Sequence, residues 1–560
     1  MQFISTVFLK FISLSKLIKN RYKIFQKNRK FSALAASVRD YSIGHTTGPK
    51  ILFGPSFSIY EPCKVHDFIL ANALQIRGAK IIPCCMGRLQ FGETSYLGGI
   101  WGGLKDGAVN LDEKQERDNY RFVAESDKQL WETWGGLLPI NLDKYVPESR
   151  IEELLLVANN YNLDEYKEWK YSGLNVGKWA VDSLRNNAMV SDETIIQHYQ
   201  VKLYHYLHHI IIMVDACEGV LNDIKPDIVF SSDSYYYPWA ILEQLCDRYK
   251  IPFYNGYPSI RKNAVCYAKG EPAMALNISR VWENFKESHL GSQELDVLDD
   301  FFKTRTAGKY SPGLNTCDPK ENSDDLESFN WGKIDREKPT ALLTPNVCWD
   351  LVALNRDVQF ENMFDWIAKT IQFFEKHPEW QLIIKPHPAE ENRHIPVTKQ
   401  TVVKFLQEQG TKIPENVIVL GAKTEITVYD LFPIVKVGLV YTTTVGIEMT
   451  TLGIPVITAG RSHYHSHGFT FDPPTKELYF DDLGKLLANQ IESTERETWP
   501  VLAKKFLYLY MFVYPIDLGI LQYDFVDADI TIEDGAELLP GRHEGLDFIC
   551  TKILNKESVF

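Results

Sequence analysis

The residues best suited to chemistry fall in two short runs in the C-terminal half of the chain. The first is Lys385-Pro386-His387-Pro388, at the end of an apolar stretch over 381–385. Pro386 fixes its own φ, and Pro388 drives His387 out of the helical region into an extended conformation. A lysine and an imidazole on so stiff a backbone suit a pyrophosphate or a nucleotide base. The second run is Thr442-Thr443-Thr444, followed by Gly446 and Glu448, between an apolar stretch at 437–441 and a short helical stretch closed by Gly453. A helix start offers free N–H groups and the positive end of a dipole, and the three hydroxyls add donors. Gly446, with no side chain, leaves room for a phosphate to approach the backbone. Glu448 stands four residues after Thr444, out of register for a capping box, and is left for other partners such as ribose hydroxyls.

These runs need a scaffold that presents strand ends to a ligand. Apolar runs at 340–344, 381–385, 416–420, 436–441 and 455–459 alternate with helical stretches near 362–376, 397–409, 425–432 and 445–452. Such alternation implies a parallel sheet covered on both faces, with ligands outside the carboxyl ends of the strands. An earlier series, with strands at 50–55, 79–85, 227–233 and 252–256, implies a second sheet of the same kind. The expected architecture is α/β with two Rossmann-like domains. The N-terminal one spans 48–303 and carries a mostly helical insertion at about 90–200. Residues 304–338 read as a linker, 339–490 as the C-terminal domain and 491–560 as C-terminal helices and tail. A catalytic base must come from the N-terminal domain, and Glu61 and His66 after its first strand, with Asp233 at the end of 227–233, are the candidates.

Composition bounds the partners. The formal charge of −13 divides into +8 over residues 1–30, which hold no acidic residue, and −21 over the rest, so a nucleic-acid surface is not expected. The first thirty residues have helical apolar spacing (Phe3, Ile4, Val7, Phe8, Phe11, Leu14, Ile18) with basic residues between. Such an arm, expected over 1–47, suits either an anionic membrane surface or the protein's own body. No apolar run approaches the ~18 residues of a membrane span, and no signal-peptide pattern opens the chain. Nine scattered cysteines without a CxxC pair read as reduced thiols of a cytoplasmic protein. His463, His465 and His467 alternate as metal ligands can, but a metal is not expected, nor is any cofactor. "GAKT" at Gly421 lacks a P-loop's glycine before the lysine. "LGGIWGG" at 97–103 is no dinucleotide fingerprint.

The KPHP turn, the run "TTTVGIEMTTLGIPVITAG" and "HYHSHGFTFDP" together resemble the C-terminal half of the capsule polysaccharide biosynthesis family. That resemblance covers about 150 residues closely and implies a GT-B glycosyltransferase fold, as in Kdo transferases that use a CMP-activated sugar. It maps His387, Pro388 and Thr442 to Thr444 onto the nucleotide and phosphate site. The partners it implies are a nucleotide-sugar donor and a surface polysaccharide or glycolipid acceptor. Related signatures in sialyltransferases and glycerol-phosphate transferases leave two alternatives open. One is a CDP-linked glycerol-phosphate-type transferase, and the other a non-catalytic nucleotide-binding scaffold.

Overall fold

The computed structural model describes residues 2–42, 47–89, 113–191, 196–232, 236–259, 261–306, 327–349, 356–391, 398–491, 493–523 and 527–560. Two sheets organise them. The first contains β1 (Lys50–Phe53), β2 (Lys80–Cys85), β3 (Ile140–Asn141), β4 (Ile228–Ser231), β5 (Phe253–Pro258) and β6 (Ala264–Lys269). Its parallel part has the order β3-β2-β1-β4-β5, and β6 joins β5 antiparallel. The second contains β7 (Thr340–Thr344), β8 (Gln381–Ile384), β9 (Val417–Val419), β10 (Val437–Val440) and β11 (Val456–Thr458). Its order is β11-β10-β7-β8-β9, all parallel. Each chain segment starts in the middle of its sheet, steps outward twice, then crosses to the other side. That is the Rossmann winding, and it occurs twice. Strand order reverses between β1 and β4 in one sheet and between β7 and β10 in the other, which is where such sheets open a crevice for ligands.

The elements follow from local sequence. β7, β8 and β10 are buried at every residue, the pattern of strands covered on both faces. The helix Met363–Glu375 is capped by Asn362, which accepts from the N–H groups of Phe364 and Asp365, and it buries Trp366, Ile367, Thr370, Ile371 and Phe374 at helical spacing. The helix after β1 begins earlier than its apolar pattern suggests. α2 (Glu61–Ile76) starts with Pro62 in its first turn, where a missing N–H costs nothing, so Glu61 lies inside the helix. Two strands, β3 and β6, have no clear signal in the sequence. The two residues of β3 sit within the insertion, which is otherwise helical over Glu113–Lys128, Glu148–Asn159 and Val176–Ala188.

Both ends of the chain fold back on the first sheet. α1 (Gln2–Ser42) docks its later half there, with Phe31, Leu34, Ala35 and Val38 buried beside Phe68 and Trp134. Lys27 pairs with Glu61 and Asp527, and Lys30 with Asp529. Of the two surfaces that the arm suits, the protein's own body takes its second half, by apolar contacts as much as by charge. The tail differs from expectation too. After the helix Trp499–Tyr508, packed on the second domain, the chain crosses back and adds β12 (Ile516–Asp517) to β6. The helix Glu544–Leu554 then packs on α2. An apolar cluster runs through both domains, from Cys266 and Trp282 to Leu342, Ile383 and Phe506. None of the described helices is long and apolar enough to cross a membrane.

Candidate functional site

The carboxyl edge of the second sheet brings the two sequence runs together. β7 lies between β8 and β10, so the turns after β8 and β10 sit about 10 Å apart at the usual strand spacing. Asn346, just past β7, stands between them and accepts the Thr442 N–H through Oδ1 at 3.0 Å. Sequence reasoning missed Asn346. The reversal of strand order beside β7 is the signal that marks it. Asn346, His387, Pro388, Thr443 and Thr444 are all partly exposed in an otherwise buried rim, which makes a ledge open to a ligand.

His387 keeps the geometry its prolines suggest. Its Nδ1 accepts the Ala389 N–H at 3.0 Å, which leaves the proton of the neutral ring on Nε2. Burial, with the Arg305 and Lys385 cations beside it, pulls the imidazole down to about 4. The ring is therefore neutral near pH 7, and Nε2–H is a fixed donor with no acceptor among the described residues. Lys385 is buried at 2% exposure and donates to the Gly421 carbonyl at 3.2 Å. Burial lowers its ammonium to about 8, against the pull of Glu327 and Glu390. Glu390 accepts the Val402 N–H at 3.1 Å, and burial pushes its carboxyl up to about 8.

The threonine turn differs from expectation in its details. The N–H groups of Val445, Gly446 and Ile447 are already taken, by Thr443 Oγ1, Thr443 O and Thr444 O. Among the described residues, the donors without an acceptor lie one step earlier, at the N–H groups of Thr443 and Thr444. Gly446 serves packing rather than ligand approach. A Cβ there would meet the Tyr464 hydroxyl at 2.1 Å, and that hydroxyl donates to the Thr443 carbonyl at 2.6 Å. Tyr464 thus braces the turn, a role without a sequence signal. Glu448 is 2% exposed and occupied: Arg305 Nε donates to one oxygen at 3.2 Å and the Tyr429 hydroxyl to the other at 2.7 Å. It faces protein groups, not open space. The three alternating histidines separate in the same way. His463 meets Arg356, His465 meets Asp472, and His467 meets the His465 carbonyl.

The acceptor-side candidates do not converge. His66 is fully buried, with Nε2 on the Tyr267 hydroxyl at 2.7 Å and Nδ1 on Asp67 at 3.1 Å, so no ligand reaches it in this structure. Glu61 is partly exposed but bound to Lys27 of α1. Asp233 and the 97–103 segment lie outside the described residues. A carboxylate that sequence reasoning overlooked, Asp127, accepts the Ser58 hydroxyl at 2.5 Å behind the loop after β1. Burial pushes it up to about 7, opposed by Ser58, Cys85 and Lys64. It sits in the long insertion, where no motif singles it out. None of the described cysteines is in a disulfide, and all of them are buried.

With this geometry in view, the sequence similarity has a structural place. Residues 326–481, which hold the second sheet and its ledge, match the model of the capsule polysaccharide biosynthesis proteins. This segment carries that family's signature. No curated protein matches the chain. Among solved structures, KpsC of Thermosulfurimonas dismutans, a beta Kdo 2,4 transferase, is 14% identical, with a TM-score of 0.34 over 56% of this chain and 87% of that one. A glycosyltransferase from Rickettsia africae is 9% identical, with a TM-score of 0.26 over 84% of this chain and 96% of that one. The UDP-GlcNAc 2-epimerase of Neisseria meningitidis, bound to UDP-GlcNAc, is 11% identical, with a TM-score of 0.22 over 81% and 94%. Those likenesses are weak, and the fold rests on the strand order itself.

Proposed function

We propose that the protein is a glycosyltransferase that binds a nucleotide-activated sugar on the ledge after β7, β8 and β10. It passes the sugar to a glycan or glycolipid acceptor held on the side of the first sheet. The observation that carries this reading is the convergence of donors at a point of strand-order reversal. His387 Nε2–H, the N–H groups and hydroxyls of Thr443 and Thr444, and the Lys385 ammonium all lie at that edge. Pro388 stiffens the first turn, Thr442 ties the second to Asn346, and Gly446 lets Tyr464 brace it. Such a set suits phosphate oxygens, and the segment that matches the family model, 326–481, contains these residues. In this reading the acceptor hydroxyl gives up its proton to a carboxylate of the first domain, for which Glu61, in the first turn of α2 after β1, is the candidate among the described residues and Asp233 the candidate read from sequence. The first twenty-one residues of α1, rich in apolar and basic side chains by sequence, hold the enzyme at an anionic membrane on the cytoplasmic side. A CMP-activated sugar such as CMP-Kdo fits the family signature. A thermal-shift panel of CMP, CDP, UDP, GDP and ADP tests the donor, since a ligand bound only by the native state raises the melting temperature. Stabilisation by CMP but not by UDP, GDP or ADP is expected, and a panel with no shift at millimolar ligand would overturn the reading.

A further inference from the structure

The helical insertion of the first domain crosses to the second sheet. The last turn of the helix Val176–Ala188 meets the loop after β7, which carries Asn346. There Arg185 Nη2 donates to the Cys348 carbonyl at 3.1 Å and Asn186 Nδ2 to the Trp349 carbonyl at 3.2 Å. Arg185 also stands near Tyr441, at the end of β10. Met189, buried in the core of the second domain, accepts the Lys399 N–H at 3.2 Å, and the Ser191 N–H donates to Gln400 Oε1 at 3.1 Å. The segment 398–402 is itself bonded to Glu390, just past His387. The end of this helix therefore meets the exits of β7, β8 and β10 from the side of the first domain.

Ser183, Asn186 and Asn187 stand three and four residues apart on one flank of that helix, each at 3% exposure or less. Asn187 Nδ2 donates to the Ser183 carbonyl at 2.9 Å, as Asn186 Nδ2 does to Trp349. A carbonyl only accepts, so the bonded end of each amide is its NH2 group and the other end is Oδ1. Among the described residues, neither Oδ1 has a partner, and the Ser183 hydroxyl has none. Buried polar atoms are nearly always paired, so three unpaired ones within a single turn mark a place where a ligand completes the bonding. We infer that this flank binds hydroxyl groups of the transferred sugar, beside the ledge that holds its phosphate. The inference rests on the nucleotide-sugar reading above. The two surfaces are chemically complementary. The ledge offers N–H donors, which suit phosphate oxygens, whereas an amide Oδ1 repels phosphate and accepts from a sugar hydroxyl. Asn186 is covered at a seam between the domains, so their relative motion uncovers it without opening either sheet.

Asn186→Leu also cuts the bond to Trp349, so the working probes are Ser183→Ala, Asn187→Leu and the two combined. Ser183→Ala removes a hydroxyl that pairs with nothing described, and Asn187→Leu gives up only a bond within its own helix, so the combined variant should keep the parent's melting temperature. Calorimetric titrations would use CMP-Kdo beside CMP, and UDP-GlcNAc beside UDP. The sugar nucleotide that the parent binds more tightly than its nucleotide should lose about tenfold in affinity in the combined variant, the size of one or two neutral hydrogen bonds. The matching nucleotide should change less than about twofold. Equal losses for both ligands, or none for either, would overturn the inference, and so would a parent that gains no affinity from the sugar. A lower melting temperature with every affinity unchanged would show that these groups serve the fold alone. If the parent binds none of the four ligands, the donor reading itself fails and takes this one with it. Binding of CMP or UDP without a sugar-dependent loss removes only this inference and leaves that reading standing.

Discussion

His387 shows how much of a ligand site can depend on one side chain's tautomer. Because Nδ1 is occupied by a backbone N–H, the ring presents a proton at Nε2 whenever it is neutral, and with its titration near 4 it is neutral throughout the physiological range. His387→Ala should leave the fold intact and weaken nucleotide binding by about 1.5–3 kcal/mol, the usual loss for a hydrogen bond to a charged group. Calorimetry on the folded variant checks this. Lys385 makes the complementary prediction in pH. Its ammonium is lowered to about 8 by burial, so the free protein gives up that charge as pH rises through about 8. Nucleotide affinity should therefore be flat from about pH 7 to 7.5 and fall above 8, and Lys385→Met should bind more weakly with no such fall. The effect on stability has the opposite sense. Between about 8 and the unfolded value near 10.5, the unfolded chain holds more protons at this group than the folded one, so Lys385 contributes a rise in stability with pH over that window. Denaturant midpoints at pH 7.5 and 9.5, compared between parent and Lys385→Met, measure it.

At the scale of elements, the helix Val445–Thr451 sets the threonine turn, and its packing is less forgiving than its sequence suggests. Gly446→Ala should gain up to about 1 kcal/mol of helix propensity and lose about 1–3 kcal/mol to overpacking against Tyr464, for a net destabilisation. Urea unfolding of Gly446→Ala, and of the same change with Tyr464→Phe, separates the terms, and the double variant should be the closer to the parent. This is also where reading the sequence reached its limit. The strands and most helices of the second domain stand where their apolar periods put them, because each buried strand is bounded by turn residues and each helix has an amphipathic face. The KPHP and threonine turns were legible because strand ends at a parallel sheet's carboxyl edge are few. What stayed hidden depends on contacts between distant segments. The Tyr464 brace, the partners of Glu448 and the buried pairing of His66 with Tyr267 involve residues far apart in the chain, and no local pattern records them. The two-residue strand β3 is too short to show a period, and β6 takes its place from its pairing with β5.

Across the whole molecule, both ends of the chain are built into the first domain. α1 buries Phe31, Leu34 and Val38, worth roughly 5–9 kcal/mol at 1.5–3 kcal/mol each, which is comparable to the entire stability of an ordinary domain. Removing residues 1–21 should leave the melting temperature and nucleotide binding unchanged while abolishing sedimentation with anionic vesicles at low salt. Removing residues 1–42 should unfold the first domain or leave it insoluble. Full-length protein that stays in the supernatant with such vesicles would count against the membrane role and leave α1 as a structural strut. The returning tail has a further consequence. The edge strand β12 and the helix Glu544–Leu554 that complete the first domain are made after the whole of the second. At ordinary elongation rates of about 5–20 residues per second, the first domain waits roughly 10–50 s on the ribosome with the edge of β6 and the flank of α2 uncovered. The second domain, contiguous in sequence over its five strands, has no such delay. Birth order and folding order are thus reversed, and the nascent first domain is the part of this protein that most needs a chaperone until its last segment arrives.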